Sequence, residues 1–214
     1  KPFFSLIFTS SNHEPFEFPD GKITLHDPVK QTVNNAVKYA DYSLGKFIAE
    51  AKKQAYWKDT LFLVVADHDN RVYGNSLVPV KKFHIPGLIL GADIAPKRIG
   101  TIASQIDLGP TLLSLMGVSS MHPMIGRDFA RDSSTPGRAM LQFDNYFAWL
   151  EDGSATILRP RQHPLLGNYD AQSGKLDLQA GAPDKLQVSK AMAHVVLPSL
   201  LYRERKYTLP ERGP

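Results

Sequence analysis

The stretch "LFLVVADHDNRVYG", Leu61–Gly74, constrains the fold more than any other part of the chain. Leu61–Ala66 carry no polar side chain at all. A strand with one wet face alternates apolar and polar residues, so an unbroken apolar run belongs to a strand covered on both faces, as in the middle of a layered α/β domain. The run ends abruptly in an acid, an imidazole and a second acid. In open α/β sheets ligands gather at the carboxyl ends of the strands, so Asp67 and His68 stand where chemistry is expected. The competing reading is a polar turn that merely closes a strand.

The flanking segments point to the same layered class. "FFSLIFTS", Phe3–Ser10, is continuous and apolar enough to predict a second buried strand, closed by Ser11 and Asn12. From Thr32 to Ala55, the residues Val33, Ala36, Val37, Ala40, Leu44, Phe47, Ile48 and Ala51 recur at three- and four-residue steps, which predicts an amphipathic helix. "IPGLILG" reads as a further strand. In "IGTIASQIDLGPTLLSLMGV", Asp107 is placed to cap a helix that Pro110 opens and Gly117 stops. Strand, helix, strand, strand, helix in that order predicts an α/β core.

Beyond "FARDSSTPGRAM" the texture changes. "RAMLQF", "YFAWLED", "SATILRP" and "HPLLGNYD" are short runs separated by Asp-Gly, Arg-Pro and Ser-Gly, the punctuation of hairpins, and "DKLQVSKAMAHVVLPSLLYRERKY" is helical in pattern with a kink expected at Pro198. The boundary falls near Arg131, giving a core over 1–131 and a small antiparallel sheet with a helix over 132–214.

Composition narrows the function classes. The chain has 214 residues, a charge of +4 and no cysteine, which removes disulfides, thiolate metal sites and a cysteine nucleophile. The positive excess forms no block or helical stripe, so nucleic acid is not an expected partner. No apolar run reaches the roughly 18–20 residues of a membrane span. The opening residues have no signal-peptide layout and read as a strand entered in mid-protein, so the expectation is part of a longer polypeptide.

Taken jointly, "ADH" after a hydrophobic strand, "IPGLILG", "QIDLGPTLLSLMGV" and "GRDF" resemble the C-terminal half of the sulfatase and alkaline-phosphatase superfamily. "SNHEPF" resembles the Asn-His-x-Pro-Phe signature of its lipoteichoic acid synthase and phosphoglycerol transferase branch. The resemblance runs over about Lys1–Phe129 and implies an α/β/α sandwich, partial here, of the alkaline-phosphatase/sulfatase type. It implies that Asp67 and His68 hold one divalent metal ion, manganese in this branch with magnesium or zinc as alternatives, and that His13 faces the substrate. It also implies a threonine nucleophile on a segment outside this chain.

The reaction implied is transfer of phosphoglycerol from phosphatidylglycerol, an anionic phospholipid, to an envelope glycan or lipid acceptor. The enzyme implied is membrane-anchored, with this domain periplasmic or extracellular. The rivals are a sulfatase or phosphodiesterase hydrolase of the same superfamily, and a non-catalytic envelope domain that binds lipid or a partner. Bottom-up, a carboxylate and a neutral imidazole are donors suited to zinc or manganese, and a histidine near a leaving oxygen can donate a hydrogen bond. Other residues have plainer readings. His84 precedes a strand, Asp69 and Arg71 solvate the turn, and His26, His122, His163 and His194 suit surface or packing roles. Trp57 and Trp149 suit packing, and "RERK" a solvated helix end.

Overall fold

The structure is a computed structural model that describes residues 2–69, 76–131 and 134–209. Arg71 lies outside the described residues. By internal contacts the chain forms two compact units, Lys1–Phe62 with Ile89–Ile94, and Leu63–Leu88 with Ala95–Pro214. Ala95–Arg131, on the core side of the boundary read from sequence, is therefore grouped with the antiparallel sheet.

The first unit is organised by helix α1, Val33–Ala51. Thr32 caps it, its hydroxyl accepting the Asn35 N–H, and Lys52 closes it through N–H bonds to Ile48 and Glu50 carbonyls. Asn35 and Ala36 are wholly buried. The Asn35 side chain latches the preceding loop. Its oxygen accepts from the His26 and Asp27 N–H groups at 2.7 and 3.2 Å, and its nitrogen donates to the Asp27, Val29 and Lys30 carbonyls at 2.8–3.2 Å. Phe18 stacks on Tyr39 with centroids 5.0 Å apart, and Trp57 stacks on Phe62 at 5.2 Å. The packing roles expected of α1 and Trp57 are thus met within this unit.

Strand β1, Leu61–Val65, and strand β2, Gly87–Gly91, make a two-stranded sheet. Gly91 ends β2 at φ +96°, and a Cβ there would stand 2.2 Å from the Thr60 carbonyl oxygen, so only glycine fits. Two expectations differ. β1 is half-buried rather than covered on both faces, with Val65 38% exposed. Phe3–Ser10 forms no strand, and Phe3, Phe4, Leu6, Ile7 and Phe8 are exposed. Both results have one cause: an apolar strand is buried only when neighbours pair with its backbone and cover its faces, and among the described residues Phe3–Ser10 has no strand partner while β1 has one.

The second unit contains α2, Leu108–Leu115, and a five-stranded antiparallel meander: β3 Arg138–Phe143, β4 Tyr146–Glu151, β5 Ser154–Leu158, β6 Leu165–Asp170 and β7 Lys175–Leu178, followed by α3, Lys185–Arg203. The hairpin punctuation acts as read: Asp152 and Gly153 both take positive φ, 50° and 75°, the primed turn that matches strand twist. Register follows, with Glu151 opposite Ser154 and Trp149 opposite Thr156. Alternation then sorts the side chains. Leu141, Ala148, Leu150, Ala155 and Ile157 join Val78 and Val80 on one face, while Trp149 and Leu158 meet Ala191 of α3 on the other. Asp184 and Gln187 form a capping box at the start of α3, which runs helical through Pro198.

Candidate functional site

Asp67 and His68 follow β1 directly. The Asp67 carboxylate turns back on its own chain, Oδ1 accepting the His68 N–H at 2.8 Å. That leaves Oδ2 free to face His68 Nε2, 3.5 Å away. The His68 ring is oriented from its other side, where Nδ1 lies 2.6 Å from the Asp69 carbonyl oxygen. A carbonyl only accepts, so Nδ1 carries the hydrogen, and in the neutral ring Nε2 presents the lone pair. A ring nitrogen tied to a backbone carbonyl is the usual support of a metal-binding imidazole.

The spacing suits a shared cation. Two donors each about 2.1 Å from a metal at a tetrahedral angle lie roughly 3.4 Å apart, close to the separation found. Both side chains are well exposed, 57% and 70%. Among the described residues no group of three or more His, Cys, Asp or Glu side chains that could hold a metal ion assembles. Asp69 is drawn away from the pair, its carboxylate 3.6 Å from Lys82 Nζ.

His13 belongs to the other unit. Its N–H bonds the Ser10 carbonyl, its own carbonyl accepts from Phe16 N–H, and its Nδ1 lies 2.7 Å from the Glu14 carbonyl oxygen. The same tautomer argument leaves its exposed Nε2 as the acceptor, or as a donor when protonated. His84 is exposed and closes the 3₁₀ turn Val80–Phe83 through its N–H.

Sequence reading missed what stands behind the Asp67 turn. Gln105 opens the 3₁₀ turn Gln105–Asp107, and its Nε2 donates to the Ala66 and Asp67 carbonyls at 3.0 and 2.9 Å. Asp107 itself differs from expectation. Its side chain makes no cap bond to α2; it closes a capping box with Ser104 at the head of the 3₁₀ turn. Its Oδ1 accepts the Arg127 N–H at 2.7 Å and meets Arg138 Nη2 at 3.4 Å, with both side chains under 9% exposed. Gly126 of "GRDF" makes this possible, since a Cβ there would lie 1.9 Å from the Ile106 carbonyl oxygen. Burial lowers the Arg138 pKa while the Asp107 carboxylate opposes that shift. Arg138 also lies over the Trp149 ring, on which His194 stacks.

A lipoteichoic acid synthase-like protein of Bacillus subtilis is 27% identical over 72% of this chain and 27% of its own length. Phosphoglycerol transferase I of Xanthomonas axonopodis is 32% identical over 48% of the chain and 15% of its own. A crystal structure of an alkaline phosphatase superfamily protein from Vibrio parahaemolyticus superposes with a TM-score of 0.90 at 46% identity, over 98% of this chain and 51% of that one. The chain therefore spans about half of that structure and a smaller share of the curated relatives, and its α/β fold is that of the superfamily. The sulfatase family model matches residues 1–118, through β1, β2 and α2. More than half the chain is aligned with that model, and the chain belongs to the sulfatase family.

Proposed function

We propose that the protein carrying this chain is a phosphoglycerol transferase that moves phosphoglycerol from phosphatidylglycerol to an envelope glycan or lipid acceptor, through a threonine nucleophile on a segment outside this chain. The observation that carries the site is the paired presentation of Asp67 Oδ2 and His68 Nε2, 3.5 Å apart, with the imidazole fixed by the Asp69 carbonyl. The choice of phosphoglycerol rests on the relatives named as lipoteichoic acid synthases and phosphoglycerol transferase.

Asp67 and His68 hold one divalent ion, manganese by preference. Bound there, such an ion stabilises negative charge on a phosphoryl group and lowers the pKa of a coordinated hydroxyl. The chain's own residues supply the rest of what is present here. Asp67 brings a carboxylate oxygen, His68 the Nε2 of a ring whose Nδ1 is tied to the Asp69 carbonyl, and His13 an exposed Nε2 that orients the glycerol hydroxyls or the phosphate oxygens. No described helix is long and apolar enough to cross a membrane. In this proposal the anchor lies elsewhere in the polypeptide and the domain works outside the cytoplasmic membrane, where the lipid headgroups are.

Labelled phosphatidylglycerol given to the complete protein with an acceptor tests the reading. Glycerophosphate-modified acceptor is expected. Release of free glycerol phosphate alone makes the protein a hydrolase, and a complete protein that binds no divalent ion and turns over nothing is the binding module.

A further inference from the structure

We infer that Gln105 is a positioning residue for the Asp67–His68 pair, an inference that rests on the proposed metal site. The Ala66 carbonyl belongs to the peptide plane before the Asp67 Cα and the Asp67 carbonyl to the plane after it. Gln105 Nε2 donates one hydrogen to each, at 3.0 and 2.9 Å. Peptide planes are rigid, so fixing both of them fixes φ and ψ of Asp67 and the direction of its Cβ. The second plane also carries the His68 N–H that Asp67 Oδ1 accepts, so the same clamp sets the carboxylate rotation that turns Oδ2 toward His68 Nε2.

The clamp needs a firm base, and the structure supplies one. Gln105 is joined through one short 3₁₀ turn to Asp107, which is 1% exposed and bonded to Ser104 N–H, Arg127 N–H and the Arg138 guanidinium. Arg138 is the first residue of β3. A continuous path therefore leads from the antiparallel sheet to the two donors, with Gln105 the only side chain along it that reaches the turn itself among the hydrogen bonds described. Among the described hydrogen bonds no other group donates to the Ala66 or Asp67 carbonyl.

The complete protein tests this with Gln105→Leu, Gln105→Asn and Asp67→Ala, each read by manganese titration and by amide exchange at His68. Gln105→Leu should weaken manganese about tenfold, the low end of effects seen when outer-shell partners are removed. It should also speed His68 exchange with the melting temperature nearly unchanged. Gln105→Asn, too short to span both carbonyls, should fall between. Asp67→Ala should lose the ion. Loss of manganese in Asp67→Ala with wild-type affinity and exchange in Gln105→Leu overturns the role of Gln105 and leaves the metal site standing. Retained manganese in Asp67→Ala overturns the metal site; Gln105 then keeps its clamp only if His68 exchange still accelerates in Gln105→Leu, and loses it otherwise.

Discussion

Asp107 shows what a single side chain decides here. Its carboxylate is buried, faces Arg138 at 3.4 Å and satisfies two backbone N–H groups. Removing one partner of a buried ion pair leaves the other charged and dry, which costs about 3–5 kcal/mol. Asp107→Ala should therefore lower unfolding free energy by about that amount in urea titration. Asp107→Ala with Arg138→Met should lose less, because no stranded charge remains. At this scale the sequence was partly legible. A helix-initiating acid after "SQI" is a local pattern and could be read, although it caps the 3₁₀ turn rather than α2. Its Arg138 partner lies 31 positions away, with no periodicity to announce it. Gln105 was invisible for a related reason: a polar residue in a polar loop has no distinguishing neighbourhood until the fold brings the end of β1 against it.

Elements are held by side chains that bridge their ends. In the first unit, Asn35 ties residues 26–30 to α1 through five bonds and is completely buried. Asn35→Ala should cost about 3 kcal/mol, since several buried groups lose partners at once, and amide exchange at His26 and Asp27 should rise. In the second unit α3 is docked on β4 and β5. Lys190 Nζ reaches Glu151 Oε2 at 2.9 Å, and Trp149 Nε1 reaches the same oxygen at 3.4 Å. Burial pushes the Glu151 pKa up, but these hydrogen bonds outweigh it and the net shift is downward. A carboxylate whose folded pKa is depressed adds stability above its unfolded value and loses it as pH falls through the folded one. The melting-temperature advantage of wild type over Glu151→Gln should accordingly shrink as pH drops below about 4. The elements themselves were largely readable, because 3.6-residue spacing, Asp-Gly turns and capping residues are local. What α3 rests on was not, since its partners are set by the meander.

At the scale of the whole molecule, the exposed apolar surface is the informative feature. Phe3, Phe4, Leu6, Ile7 and Phe8 are 70–85% exposed, and Val37, Phe47, Val65 and Leu88 are also open to solvent. Sequence reading assigned Phe3–Ser10 and Leu61–Ala66 to buried strands because their apolar content demands cover, and that demand is chemical whether or not the covering groups are present. The chain aligns with 51% of the Vibrio structure. Exposed apolar side chains of this kind recruit whatever they meet, including copies of the chain. The 214-residue chain produced by itself should therefore self-associate with rising concentration in sedimentation velocity and bind a hydrophobic dye. Replacing Phe4 and Leu6 by Lys should reduce both, because a charged side chain is costly to bury against an apolar surface. The same chain should bind manganese more weakly than the complete protein and show no transfer from labelled phosphatidylglycerol, because in the proposed reading the nucleophile and the remaining metal donors lie outside residues 1–214. Turnover by the chain alone, at a rate abolished by Asp67→Ala, would place the reactive group among residues 1–214 and refute the division of the site proposed here.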